Sequence, residues 1–396
     1  MIEAELRACW WPAVASVARA VGDLELAEEA VQEASLVAML SWPREGLPDN
    51  PRAWLIRTAR HKALDALRRE LARPGKEARA MCEQGRLGPA AEAYDELSLI
   101  VMCCHPAFDL QTRVALTLRS VCGLSTAEIA AVLLLAEPTV AKRLVRARRK
   151  IRDTGMTFAL PEDWSERIPA VLAVVYLLFT EGHKASVNPQ AVRGELCTTA
   201  VDLARELHRL LPDDSEGEGL LALLLLTDAR RPARIAPDGS PVLLAAQNRA
   251  LYDRAMIAEG ERRLEAALRR GPPGPFQIQA AIAACHSVPE EAVDTDWREI
   301  AALYGELLRY DPSPVFEANR AIAVAMAEGP AAGLVVLDAV AHHPRLARWP
   351  SFHIARADLL DRLGRREESQ SALRAALQLD PSPSERAFIR GRLGVP

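Results

Sequence analysis

The chain has 396 residues, of which 26% are charged and 5% aromatic, and its formal net charge is −4. The longest apolar run, residues 168–179, is too short to cross a bilayer, so the sequence excludes a membrane-spanning protein. No signal peptide is recognisable at the N-terminus. We therefore expect a cytoplasmic protein without a membrane partner, with its seven cysteines reduced. The absence of convincing strand patterns predicts an all-α fold.

The first 70 residues predict a helical domain. Helices are expected at 23–40 and at 51–70, the second beginning with a proline. Between them, residues 42–50 belong to the proline-rich sequence "SWPREGLPDNP" and predict a loop. Residues 71–94 lack a clear apolar stripe and are interpreted as a linker.

Residues 95–156 predict a second helical domain that contains a helix-turn-helix. Ser125 and Glu128 have the spacing of a capping box at the start of a helix over 126–135. Pro138 favours the start of the next helix after a short turn. Four apolar residues of that helix fall on one narrow face: Val140, Leu144, Ala147 and Ile151.

The remaining residues continue as helices in two predicted parts, a helical extension over 157–270 and a repeat region over 271–396. A Pro-Gly-rich segment marks the boundary, and a D-G turn between β-prone residues predicts a small β-hairpin at 233–244. In the second part, prolines recur at intervals of 32 and 37 residues, similar to degenerate tetratricopeptide (TPR) repeats of about 34 residues. These prolines are Pro312, Pro344 and Pro381.

The most unusual charge pattern lies on residues 139–152, which carry seven Lys or Arg and no Asp or Glu. Residues 1–156 are nearly neutral, with 22 basic and 20 acidic residues, so the effect of this segment must be local. On a helix, most of these cations lie opposite the apolar face. A solvated amphipathic helix has the same charge pattern, but the capping box and the turn favour a helix that enters the DNA major groove.

Two further charged faces occur in the first domain. Residues 53–69 place cations away from an apolar stripe, which alone is a weak sign of DNA binding. Residues 23–33 are crowded with acidic side chains. Such a face is commonly only solvated, and it could otherwise bind a basic protein partner. Contact with DNA is not expected there, because phosphates would repel it.

Three segments in this order resemble an extracytoplasmic-function (ECF) sigma factor of bacterial RNA polymerase. They are "AEEAVQEA" (27–34), "PRAWLIRTARHKALDALRR" (51–69) and "GLSTAEIAAVLLLAEPTVAKRLVRARRKI" (123–151), similar to regions 2.2, 2.3–2.4 and 4.2 of the family. Residues 103–119, 171–182, 223–234 and 277–286 resemble the subgroup with a long C-terminal TPR-like extension. The resemblance therefore covers nearly the whole chain and implies a factor that directs core polymerase to −10 and −35 promoter elements.

The resemblance implies roles for individual positions, with core RNA polymerase contacted through its β′ clamp helices and β flap. The clamp helices would be bound by Asp23, Glu25, Glu28, Glu29, Gln32 and Glu33. The −10 element, including a flipped base held by the loop, would be contacted by Trp42, Arg44, Asp49, Asn50, Arg57, Arg60, His61, Lys62, Arg68 and Arg69. The −35 element would be contacted by Glu137, Pro138, Thr139, Lys142, Arg143, Arg146 and Arg149.

The sequence departs from the family pattern at two places. His61 stands where the family often has Asn, and "AVLLLAEP" is more aliphatic than the usual pattern, which contains an aromatic residue. The departures leave the expected architecture intact and bear on base preference.

Other functions are less well supported by the sequence. The adjacent Cys103, Cys104 and His105 lack the spaced pairs of a zinc site, so we expect no metal and no cofactor. Neither a nucleophile motif nor a P-loop is present, and no enzyme is expected. An operator-binding helix-turn-helix regulator with TPR repeats is an alternative, as is an enzyme site in 160–396. The extension could regulate activity in cis or through a protein or peptide partner.

Overall fold

The computed structural model describes residues 2–71, 92–121, 123–133, 135–156, 165–185, 194–234, 242, 244–379 and 381–394. Within these ranges the secondary structure is helical and contains no strand, so the predicted all-α fold is confirmed. The α-helices are α1 (Ile2–Val21), α2 (Leu24–Glu45), α3 (Pro51–Leu71), α4 (Glu92–Cys103), α5 (Leu110–Ser120), α6 (Thr126–Leu133), α7 (Glu137–Thr154), α8 (Ile168–Ala185), α9 (Gly194–Leu210), α10 (Ser215–Asp228), α11 (Arg254–Leu268), α12 (Pro275–Ser287), α13 (Trp297–Tyr310), α14 (Pro314–Glu328), α15 (Pro330–Ala339), α16 (Pro344–Ala347), α17 (Pro350–Arg362), α18 (Arg366–Leu377) and α19 (Pro383–Leu393).

The chain divides into an N-terminal unit, residues 1–178, and a C-terminal unit, residues 179–396. In the first unit, helices α1, α2 and α3 pack against one another, and α4 packs against α1. Small and β-branched side chains such as Ala13, Val17 and Ala59 are fully buried in this bundle, which allows its helices to approach closely. The predicted linker lies almost entirely outside the described residues.

Helix α2 is longer than the sequence predicts and includes the first part of the expected loop. It ends at Glu45, where Gly46 has a φ of +87° and donates its N–H to the Trp42 carbonyl over 3.0 Å. Trp42 is 3% exposed, and its ring centroid lies 5.4 Å from that of Trp54 on α3. This tertiary contact favours continued helix through Pro43, whose missing N–H costs one backbone hydrogen bond in the last turns.

Helices α5, α6 and α7 form the predicted helix-turn-helix region. The capping box is present: the Glu128 N–H donates to Ser125 Oγ over 3.2 Å, and the Ser125 N–H donates to Glu128 Oε2 over 2.7 Å. The apolar face of α7 is buried as predicted. Before α6, Gly123 has a φ of +65°, and a Cβ there would lie 3.0 Å from the Trp10 ring. The left-handed backbone therefore favours glycine here, and a side chain would also crowd the Trp10 ring on α1.

The C-terminal unit consists of successive packed helices. Helix α10, whose leucines are all buried, contacts α9, α11 and α12. Further along, α13 packs on α14, α14 on α15, and α17 on α18. The predicted hairpin at 233–244 lies largely outside the described residues; of its described parts, the Val242 N–H donates to the Arg234 carbonyl over 2.8 Å. Helices long and apolar enough to span a membrane are not found among the described residues.

One cluster in the C-terminal unit has metal-type ligands, although the sequence predicts no metal. In the described part of the chain, the ligand atoms of His183, Cys197 and Asp228 lie within 4.8 Å of one another. Two arginines approach the same atoms: Arg231 pairs with Asp228 over 3.0 Å, and Arg234 contacts the His183 ring. Their positive charges oppose the binding of a cation.

The pH dependence of the free energy of unfolding tests the packing around His183. Burial first, and then the charges of Arg234, Arg230 and Arg231, lower its pKa to about 3. Because its pKa in the unfolded chain is near 6.5, its stabilising contribution is complete above that value and is lost as pH falls toward 3. Between pH 7 and pH 5 we expect a loss of about 2 kcal/mol in the free energy of unfolding of the C-terminal unit.

Urea unfolding of the full chain at both pH values measures this loss. His183→Gln removes the titrating group and should reduce the pH dependence, whereas the exposed His342→Gln serves as the control and should leave it unchanged. An equal pH dependence in all three proteins would contradict the assignment.

Candidate nucleic-acid interface

The most cationic surface of the described N-terminal unit is the outer face of α7. Lys142, Arg146 and Arg149 are exposed, and neither Lys142 nor Arg146 forms an ion pair with a described residue. Arg149 makes an exposed pair with Asp153 over 3.3 Å, which water and salt weaken strongly. The first residues of α7, Glu137 to Thr139, are also exposed. This end of the helix can therefore enter a groove of DNA while the cations contact phosphates.

A groove of about 390 Å³ lies between this face and the start of α5. On one side, Arg143 donates to Gln111 Oε1 over 2.7 Å and Lys150 donates to the Ala107 carbonyl over 2.8 Å. On the other side, Asp109 caps α5 by accepting the Thr112 N–H over 2.8 Å. This hydrogen bond is the main reason why the pKa of Asp109 is lowered. The α7 side of the groove thus carries the cations, two of them held by hydrogen bonds, and the α5 side carries one carboxylate.

The residues predicted for the −10 element are distributed over the end of α2, the following loop and α3. Arg60 is half-buried and donates to Ser16 Oγ over 3.2 Å, and Lys62 pairs with Glu33 over 3.1 Å. Trp42 is buried, so its ring is not accessible in this arrangement. The exposed members of the set are Arg44, Asp49, Asn50, Arg57, His61, Arg68 and Arg69. Asn50 Oδ1 accepts the Ala53 N–H over 3.0 Å at the start of α3.

The acidic face of α2 is only partly exposed. Asp23 accepts the N–H groups of Glu25 and Leu26 over 2.9 and 3.2 Å, so its carboxylate caps the helix. Glu25 pairs with Arg152 of α7 over 2.8 Å. The exposed acidic-face residues are Glu29, Gln32 and Glu33.

Glu28 differs from its neighbours because it is 5% exposed and contacts α5 and α7. Ser120 Oγ donates to one carboxylate oxygen over 2.9 Å, Arg148 donates to the other, and Arg119 lies 3.8 Å away. Burial raises the pKa of Glu28, while Arg148 and Ser120 act in the opposite direction. In this arrangement Glu28 is inaccessible to a second protein. The sequence predicts neither Arg148 nor Arg152 as a site residue, because their partners lie more than 100 positions away.

Comparison with known proteins supports the order of these regions. Residues 9–73 match the family model of sigma-70 region 2, and residues 98–151 match that of sigma-70 region 4. Residues 167–268 match a family of unknown function, DUF6596. The chain is 40% identical over 392 residues to "Uncharacterized protein R00370" of Rhizobium meliloti (strain 1021), and the alignment covers 96% of this chain and 92% of that protein.

Proposed function

The chain belongs to the ECF-type sigma factors with a C-terminal extension, and from this premise we propose that α7 contacts the −35 promoter element while α3 and the preceding loop contact the −10 element. A sigma factor initiates transcription with core RNA polymerase and promoter DNA as its partners. The observation that carries the proposal is the exposed cationic face of α7, the helix that follows the capped α6 after a tight turn. The sigma-70 region 2 match argues against an operator-binding regulator, which has no need of that region.

At the −35 element, the exposed N-terminal residues of α7 meet base edges, and Lys142, Arg146 and Arg149 meet phosphates. Arg143 is held toward Gln111 and acts together with it at the groove beside α5. Since phosphate contacts supply affinity without sequence information, promoter choice rests on Glu137, Pro138 and Thr139.

At the −10 element, the exposed cations of α3 and the loop residues Asp49 and Asn50 contact the opened strand. Trp42 acts indirectly, because its buried ring packs on Trp54 and sets the direction in which the loop leaves α2. Glu29, Gln32 and Glu33 bind the β′ clamp helices, and Glu28 joins them after α7 leaves α2.

The extension regulates this activity, either in cis or through a partner. The successive helix pairs from α13 to α18 support TPR-like packing, which presents a surface suited to a peptide or protein segment. A regulatory role in cis is favoured by the net charge of −6 over residues 157–396, opposite in sign to the α7 face.

Run-off transcription tests the proposal. Purified full-length chain or a 1–159 truncation is added to core polymerase on the promoter of the chain's own gene, with core alone as the control. We expect a transcript that requires the added chain, and a different yield from the truncation. No transcript from either protein, with no co-migration with core, would contradict the function. Equal yields would reject a regulatory role of the extension.

A further inference from the structure

The C-terminal unit contains buried arginine groups without hydrogen-bond partners. Arg230 follows α10, and its Nε and Nη1 atoms are buried and unbonded. Arg249 lies on a short 3-10 turn and is 5% exposed; its Nη1 donates to the Pro289 carbonyl over 2.8 Å and its Nη2 to Thr295 Oγ1 over 3.0 Å. The Nε of Arg249 and the Nδ1 of His286 on α12 are likewise buried and unbonded.

Hydrogen bonds join the segments that carry these groups: the Asp253 N–H donates to the carbonyl of Ala229, next to Arg230, over 2.9 Å, and Ser287 Oγ, next to His286, donates to the Leu226 carbonyl over 2.8 Å. The charges of Arg230 and Arg249 both act on His286, and together with burial, the larger cause, they lower its pKa to about 4. Burial likewise lowers the pKa of Arg230 to about 10, with Arg234 and Arg249 contributing. Among the described residues, no carboxylate pairs with Arg230 or Arg249. Arg249, which is buried, and Arg230, which is partly buried, therefore lack a counter-ion that would offset their lost hydration.

Aromatic side chains surround the cluster. The Arg249 guanidinium lies 5.9 Å from the centroid of the Tyr252 ring, and the His286 ring lies 5.3 Å from that of Trp297, edge to face. Trp297 and Tyr304, both on α13, are partly exposed, as are Arg230 and His286. The cluster therefore reaches the surface on the side of α12 and α13.

We propose that Arg230, Arg249 and His286 form a binding site for the oxyanion, a phosphate or a carboxylate, of a small ligand. Guanidinium N–H groups bind such anions with short, charge-assisted hydrogen bonds; Arg230 offers two unbonded donors, Nε and Nη1, and Arg249 offers its Nε. The neighbouring aromatic rings suit an organic group attached to the anion. The site lies in the extension and is independent of the DNA-contacting surfaces.

Calorimetric titration and thermal unfolding of the full chain test the site, with inorganic phosphate and acetate as probes and sodium chloride at matched ionic strength as the reference. We expect saturable binding and a rise in Tm of roughly 5 °C or more at 100 times the Kd. A larger effect of phosphate indicates a phosphorylated ligand, and a larger effect of acetate indicates a carboxylate. No effect of either beyond that of chloride would overturn the proposal.

Arg230→Met distinguishes a binding site from a structural contact. It removes the unpaired charge while keeping most of the volume, so the Tm without added anion should stay equal or rise, and the anion-dependent rise should disappear. Arg298→Met, an exposed residue of α13, is the matched control and should retain the rise. A lowered Tm combined with a retained anion effect would contradict the site. If Arg230→Met does not fold, Arg230→Lys keeps the charge without the guanidinium donors and should weaken binding roughly tenfold; unchanged binding would overturn the proposal.

Discussion

Arg148→Ala is expected to lower the free energy of unfolding of the N-terminal unit by about 3 kcal/mol, because it leaves the Glu28 carboxylate buried without its closest cation. Arg119, at 3.8 Å, and Ser120 remain but do not replace the charge-assisted hydrogen bond. The same substitution loosens α7 from α2 and makes Glu28 more accessible. Binding to core polymerase should therefore be retained or strengthened even though the protein is less stable.

Urea unfolding and a fluorescence-anisotropy titration of core polymerase measure the two effects separately. Arg149→Ala, one position along and exposed, is the control and should change the stability by less than about 0.5 kcal/mol. Glu28→Ala should lower both stability and polymerase affinity. We interpret the contact of Arg148 with Glu28 as one that covers a polymerase-binding residue. This interpretation would be wrong if Arg148→Ala weakened polymerase binding as much as Glu28→Ala.

Replacing Lys142, Arg146 and Arg149 together with alanine is expected to reduce the affinity of the holoenzyme for a −35 DNA fragment by roughly 100-fold or more at low salt. Each lost phosphate contact should also reduce the slope of log K against log salt concentration by about one. The stability of the N-terminal unit should change little, since all three side chains are exposed.

The matched control removes the same number of positive charges elsewhere. Arg298, Arg345 and Arg348 are exposed residues of the C-terminal unit, and their triple alanine variant should leave the DNA affinity and the salt slope almost unchanged. Equal losses in the two triple variants would show that net charge, and not the α7 face, governs DNA binding.

The features that the sequence predicts best depend on neighbouring residues. The Ser125–Glu128 capping box and the buried face from Val140 to Ile151 follow from spacings within one or two helical turns, and the structure contains both. The end of α2 is predicted wrongly, because the contact of Trp42 with Trp54 overrides the helix-ending tendency of Pro43.

Contacts between segments that are distant in the sequence cannot be predicted from such local spacings. Glu28 and Arg148 are 120 positions apart, and in the sequence Arg148 is one of seven similar cations. Arg230 is equally hidden, because "DARRPAR" (228–234) has the composition of an exposed segment. The three-dimensional packing decides that Arg231 pairs with Asp228, whereas Arg230 pairs with no carboxylate among the described residues.

The two sides of helix α7 differ in their contacts. Arg148 and Arg152 contact α2, whereas Lys142, Arg146 and Arg149 face outward. If α7 contacts the −35 element as proposed, promoter preference can diverge between gene copies through substitutions at the exposed positions 137–139 alone, without disturbing the contacts of Arg148 and Arg152 with α2. A recognition helix grafted at this place has to keep Arg148 and Arg152, which contact α2. Arg143 and Lys150 also make contacts, with Gln111 and the Ala107 carbonyl, so the exposed Lys142, Arg146 and Arg149 are the polar positions available for redesign.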